Sequence, residues 1–210
     1  YGFYVQNHGG VLTVAKTRQE DFLPDLDALE AVMTQRTRAI IVNSPNNPTG
    51  VVYSQEVLDE LGTWLRTQEQ HFGHPIYLIA DEPYRKLLFD EVVNGSVLKA
   101  HPHSILITSH SKDLGLAGER IGYIALHPEV PDRALWQEAL VFTNRILGFV
   151  NAPALMQRAL PHLRGVQVDI GFYQQLRDQV CSLMEEVGIS CVRPQGAFYL
   201  FPQALEEDDV

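Results

Sequence analysis

The sequence predicts an α/β domain built on a mostly parallel β-sheet. Short β-branched or aliphatic runs alternate with longer stretches whose apolar residues recur at helical spacing. The short runs are apolar at successive positions, as strands covered on both faces are. Three of them end in polar residues, at the carboxyl ends where open parallel sheets present ligands.

The elements follow in order. Val11 to Ala15 is the first strand candidate, and Leu26 to Met33 the first helix. Ala39 to Asn43 is the next strand. The clearest helix starts after Ser54, a residue suited to capping, and carries Val57, Leu58, Leu61, Trp64 and Leu65 on one continuous stripe. Ile76 to Ala80, Ser104 to Thr108 and Ile121 to Leu126 complete the strand candidates; each run is too short and too apolar to be a surface helix. Further helices are expected over Arg133 to Phe142, Ala154 to Leu163, and about Val168 to Val187, the last closed by Gly188 as a left-handed cap. Cys191 to Phe201 reads as one or two strands around the turn Pro194-Gln195-Gly196. Because the pattern changes after Leu163 from alternating strand and helix to helix then strand, a domain boundary is expected there, giving 1–165 and 166–210.

Bulk properties exclude several function classes. A net charge of -10 and a pI near 5.2 disfavour wrapping of nucleic acid or an anionic membrane, since neutralising phosphate needs surplus Lys and Arg. Cys181 and Cys191 stand outside any paired metal spacing, which points to a reducing, cytoplasmic setting. No apolar run approaches the length of a membrane span. The start at Tyr1 and the ending at Glu206-Glu207-Asp208-Asp209-Val210 suggest a piece of a longer polypeptide, with the acidic tail read as solvated surface.

Three segments carry chemistry. Ser109-His110-Ser111-Lys112-Asp113 gathers an amine and two hydroxyls just after a strand, with Arg120 close behind. Asp81-Glu82-Pro83-Tyr84 puts a carboxylate directly after an apolar strand, where an ionised group wants a cationic partner. Pro45-Asn46-Asn47-Pro48-Thr49-Gly50 alone is ordinary turn chemistry. Together they supply what holds a phosphorylated aldehyde. His101-Pro102-His103 has the separation of some metal sites, but with no third ligand evident an exposed loop explains it better. His110 is read as turned away from the two serines.

These segments resemble the signature of pyridoxal-phosphate-dependent aminotransferases of fold type I, in the class I/II superfamily. The resemblance covers essentially the whole chain, with a further match at Gln195-Gly196-Ala197-Phe198-Tyr199-Leu200-Phe201. It implies a three-layer αβα large domain over 1–165, lacking its N-terminal part, and the start of a smaller α+β domain over 166–210. It also implies pyridoxal 5'-phosphate as cofactor. Lys112 resembles the lysine that carries the cofactor covalently and moves the substrate proton, Asp81 the carboxylate facing the pyridine nitrogen, and Tyr84 with Asn47 the pair on the phenolic oxygen. Ser109, Ser111 and Arg120 resemble phosphate ligands, with Ser109 and Ser111 expected on one side of an extended segment and Gly115 and Gly118 expected to fold the chain back. Tyr1 resembles the aromatic that stacks on the cofactor ring.

The implied reaction is α-amino transfer between an amino acid and a 2-oxo acid, in a cytoplasmic homodimer. The family's glycine-rich phosphate turn and its arginine for the substrate carboxylate lie outside this sequence, so the fragment alone is expected to be a poor catalyst. Two rival readings share the cofactor: a carbon–sulfur lyase or related elimination enzyme, and an aminotransferase-like ligand-sensing domain of a transcription regulator.

Overall fold

The computed structural model describes residues 1–204 of this chain. The acidic tail Glu206 to Asp209, and with it the end of the 166–210 segment, lies outside the described residues.

Helix α1 (Gly2–Asn7) and helix α2 (Leu26–Val32) lead to strand β1 (Ala39–Asn43). Helix α3 (Gln55–Phe72), strand β2 (Tyr77–Asp81), helix α4 (Val97–Ala100) and strand β3 (Ser104–Ser109) follow. Helix α5 (His110–Asp113) and a 3₁₀ turn (Ala117–Glu119) precede strand β4 (Gly122–Leu126). Helices α6 (Arg133–Ile146), α7 (Ala154–Ala159) and α8 (Ile170–Glu186) complete the set, with a second 3₁₀ turn at Leu160–Leu163. The strands lie in the order β1-β2-β3-β4. The first three are parallel and β4 is antiparallel to β3, so the expected mostly parallel sheet is present.

Side-chain alternation explains the layering. Leu78 and Ala80 of β2, with Leu106 of β3, are buried against Leu58, Leu61 and Leu65 of α3. Each fully buried leucine contributes about 1.5–3 kcal/mol. The opposite face begins at Tyr77, whose ring meets Trp136 of α6 at 4.9 Å, which puts helix on both sides of the sheet. Ser54 caps α3 by accepting from the Val57 N–H at 3.4 Å, and Gly73 ends it at φ 73°. Gly62 faces α4: a Cβ there would stand 2.3 Å from the Ala100 carbonyl oxygen. α8 starts on Asp169, which accepts from the Phe172 N–H at 3.0 Å, and Gly188 follows its end at φ 75°.

Several expectations are corrected. Val11 to Ala15 is not a strand: among the described residues no backbone pairs with it, and Val11 and Val14 are 79% and 74% exposed. Cys191 to Phe201 forms no named strand, only the isolated bridges Cys191 to Pro202 and Leu88 to Gly196. The segment after Ser109 is a helical turn, so Ser109 and Ser111 do not share one side of an extended run. Helix α1 and the short α4 have no counterpart in the sequence reading, and the helix expected over Ala154 to Leu163 is divided at Ala159. The loop expected at His101 is buried, with His101 only 1% exposed. Cys181 and Cys191 are free thiols.

Arg177 is the most buried of the side chains that fasten α8 to the rest of the molecule, beside Gln174 on Asp90 and Asp178 on Arg193. The Arg177 guanidinium donates to Asp90 at 2.6 and 3.0 Å and to the Pro194 carbonyl at 2.8 Å, while lying 4.9 Å from the Phe89 ring centroid. The segment it holds then meets the Asn46–Gly50 turn, where the N–H groups of Gln195 and Gly196 both donate to the Gly50 carbonyl at 2.9 Å.

Candidate active site

The parallel register brings the polar strand ends to one edge of the sheet. Asn43 pairs with Asp81, and Asp81 with Ile107, two residues before Ser109. The Asn43 side chain ties this edge together: its amide donates to the Asp81 carbonyl at 2.7 Å, and its oxygen accepts the Asn47 N–H at 2.7 Å. Asn46 shapes the same turn by accepting from the Thr49 N–H at 3.1 Å and the Thr49 hydroxyl at 2.8 Å.

Tyr1, Asn47, Asp81 and Tyr84 line one cleft of about 500 Å³, together with Asn43 and Asn46. The Tyr1 hydroxyl donates to Asp81 Oδ2 at 2.6 Å. Its pKa is raised by burial first and by that carboxylate second. Tyr84 is 5% exposed, and its hydroxyl shares a 2.6 Å hydrogen bond with that of Tyr199. Burial raises the Tyr84 phenol, the Tyr199 and Asp81 neighbours add to the shift, and the Asn47 side chain opposes it.

Lys112 sits on α5 rather than on the lining of that cleft. Its Nζ lies 5.4 Å from the centroid of the Phe198 ring, a cation–π contact. Phe198 in turn meets Tyr84 edge to face at 5.4 Å, so Tyr84 stands between the cleft and the lysine. The neighbouring Asp113 is buried; its Oδ2 meets Lys86 Nζ and His110 Nδ1, both at 3.1 Å, and its Oδ1 has no partner. That network fixes the helical turn bearing Lys112, and His110 belongs to it.

Ser109 precedes α5 and makes no side-chain capping bond to it. Ser111 is half-buried on the same turn. Arg120 is exposed at φ 49°, and its guanidinium donates to the Ala117 carbonyl at 2.7 Å; to meet an anion beside Ser109 it would have to leave that carbonyl. The glycine assignment is corrected in part. Gly115, at φ 67°, does turn the chain, but Gly118 has open space and no positive φ. The close approach belongs to Gly122, where a Cβ would stand 2.4 Å from the Thr108 carbonyl oxygen and 3.0 Å from Ser109 Cα.

The sequence reading missed four participants: Asn43 as the tie between strands, Tyr199 as the partner of Tyr84, Phe198 as the contact of Lys112, and Glu82. Glu82 is 2% exposed, its Oε2 makes no hydrogen bond, and burial pushes its carboxyl up to about 7, opposed by the Arg85 guanidinium 3.4 Å from that oxygen. The signal for Asn43 was its place at the end of a strand. The donor set fits a phosphorylated pyridine aldehyde in its ring portion: a carboxylate, a phenol and a primary amine sit on one edge of the sheet.

Comparison with known proteins gives a consistent result. A family model described as aminotransferase class I and II matches residues 4–209. The glutamate-pyruvate aminotransferase AlaA of Escherichia coli is 34% identical over 191 residues, covering 87% of this chain and 46% of that protein. The aspartate aminotransferase of Geobacillus stearothermophilus is 33% identical over 211 residues, covering 98% of this chain and 52% of the relative. Among solved structures, an amino transferase from Eubacterium rectale superposes with a TM-score of 0.96 at 39% identity, over 99% of this chain and 52% of that one. The Thermus thermophilus aspartate aminotransferase with maleate gives 0.78 at 28%, over 95% and 51%. The chain thus spans about half the length of the curated relatives it matches.

Proposed function

This chain belongs to the class I and II aminotransferases, and from that premise we propose that the protein to which it belongs moves an α-amino group between an amino acid and a 2-oxo acid. The observation that carries the reading is the edge of the sheet on which Asp81, Tyr84 and the Lys112 turn stand together. Relatives whose names are glutamate-pyruvate, aspartate and alanine aminotransferase support transfer over elimination or a regulatory role. They also suggest an amino donor among aspartate, glutamate and alanine.

The family depends on pyridoxal 5'-phosphate, which when bound supplies an electron sink for the carbanion at the substrate α-carbon. Asp81 would keep the pyridine nitrogen protonated through its negative charge, and Tyr1, whose hydroxyl donates to the same carboxylate, would orient it and pack against the ring. The hydroxyl of Tyr84 and the amide of Asn47 would donate to the phenolic oxygen, with the shared bond to Tyr199 holding the Tyr84 hydroxyl in place. Ser109, Ser111 and Arg120 would hold the phosphate, arginine by its planar fork. Lys112 would supply the amine that anchors the cofactor and, when free, would serve as the base for the proton at the substrate α-carbon. Phe198 offers that amine the face of its ring.

We assign residues 1–165 to the cofactor-binding domain and 166–210 to the linking helix and a second, smaller domain. A cytoplasmic homodimer is the proposed working form, and the fragment alone is proposed to be a poor catalyst. The test is borohydride reduction of the full-length protein with its cofactor, followed by peptide mapping. A phosphopyridoxyl group on Lys112 is expected; an adduct elsewhere, or none, would overturn the assignment.

A further inference from the structure

The opposite end of the sheet carries a cluster that the amino-transfer reading does not use. Glu69 comes from the last turns of α3, His101 from the residue after α4, and His103 from the residue before β3. Their ligating atoms all lie within 4.8 Å of one another. Glu69 Oε1 is 2.5 Å from His103 Nδ1 and 3.3 Å from His101 Nε2, and the Ile76 N–H fixes it from behind at 2.8 Å. His103 stands at the head of β3 and Lys112 beyond its foot, so roughly 20 Å of strand and turn separates this cluster from the candidate active site.

Charge and hydrogen bonding leave the cluster incomplete. His101 is 1% exposed, and its Nδ1 is buried without a partner. If Nε2 carries the proton, it donates to the Ile76 carbonyl at 3.1 Å and the Nδ1 lone pair is left unmet. If Nδ1 carries it, the Nε2 lone pair confronts two oxygens, at 3.1 and 3.3 Å, an arrangement that a cation between them neutralises. His103 and Glu69 retain side-chain exposures of 20% and 12%, which leaves an entry path on one side.

We propose that Glu69, His101 and His103 form a binding site for a divalent transition-metal ion of the zinc type, the open fourth position being left to water. Two imidazoles and one carboxylate are a zinc donor set. Ligands at zinc bond lengths stand about 3.3 Å apart around a tetrahedron, which is the Glu69 to His101 spacing here. The Glu69 to His103 spacing must widen by about 0.8 Å, within reach of a small rotation of the partly exposed His103 ring. The ion would staple α3, α4 and β3 at the amino end of the sheet, so its effect falls on stability and not on the chemistry at Lys112.

The test uses tag-free full-length protein stripped with a chelator and freed of cofactor. Cobalt(II) is titrated and followed by visible absorption, and zinc by calorimetry. One equivalent is expected to bind with a micromolar or tighter dissociation constant. His103→Gln and Glu69→Gln are each expected to weaken it at least tenfold, and Lys112→Ala to leave it unchanged. Zinc is expected to raise the melting temperature of the wild type, and not that of His103→Gln, each compared with the same protein in chelator. Absence of saturable uptake, or equal uptake by His103→Gln, would overturn the proposal and leave a Glu69–His103 ion pair alone.

Discussion

Replacing Glu82 with Gln tests the electrostatics of the candidate site without touching a group assigned to the chemistry. Glu82 is almost fully buried beside Asp81; its Oε2 makes no hydrogen bond and has the Arg85 guanidinium 3.4 Å away as ion partner. Burial is the largest cause of its shift from 4.5 to about 7, and the Arg85 charge does not cancel it. Between those two values the folded state holds a proton that the unfolded chain has lost, so stability falls as pH rises across this window. Below 4.5 both states are protonated and there is no cost; above 7 the cost is complete. A shift of this size at about 1.36 kcal/mol per unit gives a penalty on the order of 3 kcal/mol. Gln keeps the volume and removes the ionisation. Urea unfolding at intervals from pH 5 to pH 8.5 is therefore expected to show the variant gaining on the wild type, by about 3 kcal/mol at the upper end. A stability difference that stays flat across that range would refute the buried, titrating Glu82.

Other outcomes follow from the same geometry. Asp81→Asn removes the charge proposed to hold the pyridine proton and is expected to lower the transamination rate of the full-length protein by on the order of 10²-fold or more in steady-state assays, with the fold intact by circular dichroism. Gly122→Ala pushes a methyl group against the Thr108 carbonyl and Ser109 Cα, so it is expected to weaken cofactor binding in an absorbance titration, whereas Gly118→Ala, in open space, is expected to be silent. Tyr84→Phe removes the hydroxyl shared with Tyr199 and is expected to cost about 1 kcal/mol in thermal or urea unfolding. Asp169→Ala removes the cap of α8 and is expected to cost about 1 kcal/mol, read the same way.

Much of the sheet was legible because its strands are continuous apolar runs, and such runs state both their length and their burial. Ala39–Asn43 is found at its expected bounds, and Tyr77–Asp81 is shifted from them by one residue. Ser54 and Gly188 were legible because capping chemistry is local. Val11 to Ala15 misled for the opposite reason: valine-rich composition expresses a preference for extended backbone, but a strand also needs a neighbour, and none is present among the described residues. The α5 turn was hidden because four residues are too few to show a period, and its shape depends on Asp113 finding Lys86 and His110. In the site, Asp81, Tyr84 and Asn47 could be grouped because each closes or follows a strand. Tyr199 could not be paired with Tyr84, since 115 positions separate them. Glu69 stayed invisible as a companion of His103 for the same reason, being 34 positions away on a different element.

The hydrogen bonds from Gln195 and Gly196 to Gly50 have a bearing on how the molecule is born. Val52 and Gln195 are partners across 143 positions. At ordinary elongation speeds roughly 7–30 seconds pass on the ribosome between the emergence of one and the other. Throughout that interval the nascent Asn46–Gly50 turn lacks the strap that fastens it, although the sheet beside it already has all four strands once Leu126 is out. The candidate site is therefore a late product of translation, its strap arriving only after the strands beside it have emerged.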